Sequence, residues 1–196
     1  MDDKSSTNPR TITATAILAA IASVLMYLDF SLPFFPSFLT FDFSDLPALI
    51  ASFAYGPFYG VAIDLIKSLL HLVRTHTGGI GELARFISGI CLVIPSGIIY
   101  ARNRTRRRAV VGMAAGLAVM TVISATVNTF VLVPFYTNIM PTEAIIAMIT
   151  EIIPAADTLA ELIAFGIVPY NIFKGIIVCL LSYVLYKRLS RILHDR

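Results

Sequence analysis

Charge is what this chain has least of. Only 14% of its 196 residues are Asp, Glu, Lys or Arg, whereas 57% are hydrophobic and the mean hydropathy is +0.82. Soluble domains are about a quarter charged, so the shortfall excludes an ordinary soluble protein and, more firmly, a disordered one. Cysteine is scarce too. Cys91 and Cys179 each sit inside an apolar run, with no CxxC pair or Cys/His cluster, which argues for packing residues and against a disulfide framework or metal site. Missing motifs narrow the chemistry further. There is no GxxxxGK[ST] phosphate loop, so the chain does not power transport itself, and neither HExxH nor GxSxG is present. His71 and His76 do not share a helix face. No internal repeat marks the two inverted halves of many secondary transporters. The net charge of +3 is too small to point to nucleic acid.

What is present is enough apolar chain for several bilayer crossings of about 20 residues each. The expectation is an all-α integral membrane protein, one domain over 1–196, with six transmembrane helices near 11–28, 44–55, 58–73, 80–101, 109–135 and 169–186. The first run lacks a small-residue cleavage pattern and reads as a retained helix. Pro33 and Pro36 interrupt a Phe-rich stretch after it, too apolar for a solvated loop. Ser44 or Asp45 caps the second span, with Pro47 in its first turn. Gly56-Pro57 separates spans two and three, and Gly78-Gly79-Ile80-Gly81 turns the chain into span four. A short helix is expected near 142–152.

Basic residues orient the bundle. Arg102, Arg104, Arg106, Arg107 and Arg108 lie between spans four and five. Lys187, Arg188, Arg191 and Arg196 follow span six, and Lys4 and Arg10 precede span one. The connection between spans five and six carries Glu143, Glu151, Asp157 and Glu161 but no Lys or Arg. Both termini are therefore expected in the cytoplasm. Topology accounts for the Arg cluster without a nucleic-acid or anionic-lipid site.

An ionisable side chain at the bilayer centre costs about 2.5–3.5 kcal/mol on insertion scales, so each one needs a reason. Asp64 and Lys67, and likewise Glu82 and Arg85, are three apart and could form local pairs or serve a ligand. Lys174 has no acid within a turn and only Asn171 nearby, which favours a ligand role over snorkelling. Asn128 falls roughly 9 Å outward of the middle of span five, and Asn171 is placed in the first turn of span six. Several helices thus bring polar groups to one depth beneath the external aromatic stretch. An amide and a cation suit a ligand rich in carbonyls, ring nitrogens or hydroxyls, and Phe35, Phe38, Phe41 and Phe43 could stack on a flat ring. Ala16 and Ala20 form a small-residue pair in span one, beside Ala19 and Ser23, and Gly112 and Gly116 another in span five.

Five segments carry a resemblance. Leu39-Thr-Phe-Asp-Phe-Ser-Asp-Leu-Pro-Ala-Leu49, Phe53-Ala-Tyr-Gly-Pro57, Gly79-Ile-Gly-Glu-Leu-Ala84, Val127-Asn-Thr-Phe-Val-Leu-Val-Pro-Phe-Tyr136 and Pro169-Tyr-Asn-Ile-Phe-Lys-Gly175 resemble the riboflavin-specific S component of energy-coupling factor (ECF) vitamin transporters. The resemblance implies a six-helix, non-enzymatic plasma-membrane subunit that binds riboflavin near the outer face. It needs no cofactor or metal of its own. One transmembrane T component and two ABC-type ATPases would supply the power from ATP. By the same resemblance, Leu39, Thr40, Phe41, Asn128, Asn171 and Lys174 match flavin-binding positions, and Ala16 and Ala20 match the patch that docks on the T component. The sequence departs at Ser68 and His71, where related proteins often carry asparagine. The rival readings are an S component for thiamine, biotin or pantothenate, and a small membrane enzyme acting on lipid head groups.

Overall fold

Backbone polar groups in hydrocarbon must be satisfied within their own segment, and this chain satisfies them with helix. The computed structural model describes residues 9–36, 39–75, 78–138, 141–150, 152 and 158–194. Phe38, His76, Glu151 and Asp157, like Lys4 and Arg196, lie outside them. Helix α1 (Pro9–Tyr27) leads into two short antiparallel strands, β1 (Phe30–Ser31) and β2 (Thr40–Phe41), in the register Phe30↔Phe41. Helices α2 (Asp45–Tyr55) and α3 (Pro57–His71) follow, α3 ending in a tight turn, Leu72–Arg74. Then come α4 (Ile80–Arg102), α5 (Arg106–Thr137) and α6 (Thr142–Thr150). The last helix, α7, opens as Leu159–Glu161, passes through a wide turn at Leu162–Ile167 and continues as Val168–His194.

Four of these helices, α1, α4, α5 and α7, are long and apolar enough to cross a membrane. The six expected crossings are not all met by length: α2 has 11 residues and α3 has 15. At 1.5 Å per residue they reach roughly 16 and 22 Å, short of a hydrocarbon core of about 30 Å. The chain is mostly helical, and within the Pro/Phe stretch Phe30–Ser31 and Thr40–Phe41 pair as two short strands. The expected short helix near 142–152 appears as α6.

Composition explains the placement of α2. Its sequence, DLPALIASFAY, is apolar apart from Asp45 and Ser52, and a helix of that kind belongs inside. Ala48, Leu49, Ala51 and Phe53 are buried between α1, α3, α4 and α7. The cap differs from expectation. Ser44 precedes α2 without capping it, because its N–H and hydroxyl both turn back to Asp42 Oδ1.

Two wide, π-type turns interrupt α5 at Asn128–Leu132 and α7 at Leu162–Ile167. Proline accounts for both positions. Pro134 and Pro169 have no N–H, so the carbonyls four residues back, Phe130 and Phe165, lose their usual partner. Each falls inside a wide turn. The second interruption also corrects a boundary: Pro169 lies within α7 and does not begin it, so Asn171 stands roughly 18 Å along the helix from Leu159.

Helices α4 and α5 are the most closely packed pair. At Gly112 a side-chain carbon would stand 2.7 Å from the Ser96 carbonyl oxygen, and at Gly116 one would collide with the Leu92 carbonyl. The small-residue pair in span five therefore packs within the bundle. On α1 the two ridges part company: Ala19 and Ser23 are buried, whereas Ala16 and Ala20 face outward. Gly116→Leu is expected to force α4 and α5 apart and destabilise the protein by about 1–3 kcal/mol, read as a lower unfolding midpoint in detergent.

Candidate functional site

A buried charge holds its place only if opposite charges reach it, and the start of α2 is where that happens. Lys174 of α7 lies 3.0 Å from Asp42 Oδ2 and 3.2 Å from Asp45 Oδ2. The other oxygen of Asp45 takes Lys67 of α3, whose ammonium also lies 2.7 Å from Asp64 Oδ1. Gly89 on α4 makes room for Asp64, since a side-chain carbon there would sit 2.8 Å from the carboxylate. The expected Asp64–Lys67 pair is present, then, but as part of a larger knot. Lys174, solitary along its own helix, meets two acids from another.

The Glu82–Arg85 pair does not form. Glu82 faces His71 and Thr75, with Glu82 Oε1 3.1 Å from His71 Nδ1. Arg85 reaches across to Asp29 at 3.1 Å and donates to Thr40. Thr40 also donates to Asp29 at 2.8 Å, and its carbonyl accepts from the Tyr170 hydroxyl at 2.6 Å. Burial pushes the Asp29 carboxyl up, but the Thr40 and Arg85 hydrogen bonds and the Arg85 charge outweigh it and hold it below its ordinary value. The tie between ribbon and α4 is therefore intact at neutral pH.

Beneath the ribbon lies a cavity of about 520 Å³, within the range of small-molecule sites. Helix α7 supplies Tyr170, Asn171 and Lys174 to its wall, and α5 supplies Met120, Asn128, Leu132 and Tyr136. Glu82, Arg85 and Ser88 come from α4, His71 from α3, and Leu39 and Thr40 from the ribbon. Both asparagines donate one amide hydrogen back along their own helix, Asn128 to the Ser124 carbonyl at 2.7 Å and Asn171 to Ile167 at 2.8 Å. Each keeps a carbonyl oxygen and a second N–H for other partners.

Of the six residues expected at a ligand, the structure brings Leu39, Thr40, Asn128, Asn171 and Lys174 to this one cavity. Phe41 is elsewhere. It is buried among Phe30, Phe43 and Phe173, with ring centroids 5.6, 5.0 and 6.2 Å away. Phe35 packs on Tyr170 and Phe173. The aromatic side chains that line the cavity are instead Tyr136 and Tyr170. Sequence reasoning did not single these out, and it gave His71 and Arg85 no settled place. Arg85 carried a signal, a costly cation in an apolar run. The tyrosines carried none.

Comparison with known proteins decides the family. Residues 10–186 match the family described as ECF transporter, substrate-specific component. The chain belongs to this family. It is similar to the riboflavin transporter RibU of Staphylococcus aureus (strain TCH60), with 36% identity over 95% of this chain and 93% of that one. It is 29% identical to the riboflavin transporter FmnP of Bacillus subtilis (strain 168), over 91% of each chain. A solved S component of a bacterial ECF transporter shares 32% identity and superposes with a TM-score of 0.76, covering 95% of this chain and 98% of that one. This substrate-specific component is thus a membrane-embedded transport subunit and not an enzyme, and its family works with an ECF energy-coupling module.

The ionic knot generates a test within the S component. Lys67 is 1% exposed. Lys67→Ala leaves Asp64 and one oxygen of Asp45 without their cation and should destabilise by about 3–5 kcal/mol. Adding Asp64→Asn, which removes one stranded charge, should recover part of the loss of unfolding temperature.

Proposed function

We propose that this S component is the riboflavin-binding subunit of an ECF-type importer in the plasma membrane. It captures riboflavin from outside and presents it inward. The observation that carries this reading is the single cavity in which Asn128, Asn171 and Lys174 converge, in a chain 36% identical to a riboflavin transporter. Riboflavin has a flat three-ring system with a carbonyl-rich edge and a chain of hydroxyls. Two amides and an ammonium suit the edge, and Tyr136 and Tyr170 offer flat apolar walls. Leu39 and Thr40 would contact the ligand from the ribbon, with Phe41 supporting them from below.

The same reading sets α2 and α3 in the membrane beside the four longer helices, giving six crossings and cytoplasmic termini. Support comes from the outward face of α3, where Phe58, Leu69 and Val73 are exposed as lipid-facing residues would be. Arg102, Arg104, Arg106, Arg107 and Arg108, at the joint of α4 and α5, are all exposed, as a cytoplasmic loop requires. Near that end Phe53, Tyr100 and Tyr186 pack together with centroids 5.0, 5.6 and 5.4 Å apart, and Tyr100 and Tyr186 touch through their hydroxyls. On this reading the cluster closes the cytoplasmic end of the bundle, and release inward needs a rearrangement. One T component and two ABC-type ATPases would drive it with ATP, docking through Ala16 and Ala20, which lie exposed on α1.

Titration of the purified subunit tests the reading. Riboflavin fluorescence should quench on binding, while thiamine, biotin and pantothenate should not compete. Asn171→Ala should weaken riboflavin by about three- to tenfold, the scale of one uncharged hydrogen bond. Unchanged affinity in that variant removes Asn171 from the site. Ala16→Leu should leave riboflavin binding intact and abolish uptake by cells that carry the whole transporter. Persistent uptake there refutes the docking assignment.

A further inference from the structure

Three helices meet at the end of the bundle away from the cavity. Tyr100 near the end of α4, Ala109 near the start of α5 and Tyr186 of α7 are buried in one packed cluster, the two tyrosine rings 5.4 Å apart. Basic chain leaves this spot in every direction. The five arginines of the α4–α5 joint lie between Tyr100 and Ala109. Lys187 and Arg188 directly follow Tyr186, and Arg191 comes one turn further along α7. No acid occurs from Ala101 to Val110 or from Tyr186 to His194. Orientation explains why cations stay on one side of a bilayer, but not why they gather at one place on it.

The surroundings indicate what would answer this charge. All five joint arginines are exposed, and none makes an ion pair with a described residue. Arg106, Arg107 and Arg108 occupy the first turn of α5, where backbone N–H groups already concentrate positive charge and acids are the favoured residues. An anion there relieves the repulsion. Further into the same helices the surface turns apolar: Ile98 of α4 and Val110 and Val111 of α5 are exposed. Both helices are long and apolar enough to cross a membrane, so their joint stands at a membrane surface. An acidic protein surface would match the arginines alone. A negatively charged phospholipid matches both parts, its phosphate taking the guanidinium forks and its acyl chains the aliphatic side chains beneath.

We propose that the joint of α4 and α5, beside the end of α7, is a binding site for anionic phospholipid. It is independent of the flavin reading, because the cavity draws on the Ile80 end of α4 and this site on the Arg102 end.

The test titrates the purified protein in detergent with phosphatidylglycerol or with phosphatidylcholine of the same acyl chains, following the unfolding midpoint. Phosphatidylglycerol should raise the midpoint at about tenfold lower concentration than phosphatidylcholine, since each cation near an anionic lipid contributes about fivefold in affinity. The triple variant R106Q/R107Q/R108Q should lose that preference while its midpoint in phosphatidylcholine matches the wild type, which certifies its fold. In about 1 M salt, where screening acts within roughly 3 Å, the wild-type preference should also vanish, a result that stands even if the variant fails to fold. Equal responses to the two lipids, a preference that survives in the variant or in high salt, or the same stabilisation by inorganic phosphate overturns the site. Loss of co-purification with the energy-coupling module in the variant, without any lipid preference in the wild type, assigns the arginines to a protein surface and overturns it too.

Discussion

Two carboxylates at the entry to a short, mostly apolar helix govern this structure. Asp42 and Asp45 stand at the start of α2, where Lys174 from α7 and Lys67 from α3 converge on them. In a low-dielectric interior none of these charges is tolerable alone, so their pairing fixes the depth of α2 against both neighbours. Along this 11-residue helix one further polar tie, from the Ser52 hydroxyl to the Val93 carbonyl at 3.1 Å, joins it to α4. Arg85 then ties the ribbon to α4, and the cavity is the space these two fastenings leave between them.

The arrangement gives one residue two tasks. Lys174 holds Asp42 and Asp45 and also lines the cavity. On the proposed reading, a flavin carbonyl that accepts from Lys174 joins the same network that positions α2, and α2 touches α1, the helix with the exposed small-residue face. Occupancy of the site and the arrangement of the docking face are then linked through packed elements and not through a separate relay.

Much of this was legible from residue types alone. Hydropathy located α1, α4 and α5 to within a few residues, and the cost of polar groups in hydrocarbon picked out Asn128, Asn171 and Lys174, all of which reach one cavity. The misreadings share a cause: sequence neighbours are informative only within one helix. Glu82 and Arg85 were paired by spacing, but each found a better partner on another element. The last span was expected to begin at Pro169, whereas the helix begins ten residues earlier and a wide turn absorbs the proline inside α7. Phe41, also expected at the ligand, packs its ring in a cluster with three other phenylalanines. Tyr136 and Tyr170 gave no warning, because a tyrosine costs little in an apolar run and so attracts no notice.

The most direct measurement is an experimental density map of the purified subunit with riboflavin present. The account predicts flavin density within the cavity, its carbonyl edge within hydrogen-bond distance of Asn128, Asn171 and Lys174. Flavin density outside this cavity, or an unliganded cavity at saturating riboflavin, would contradict it.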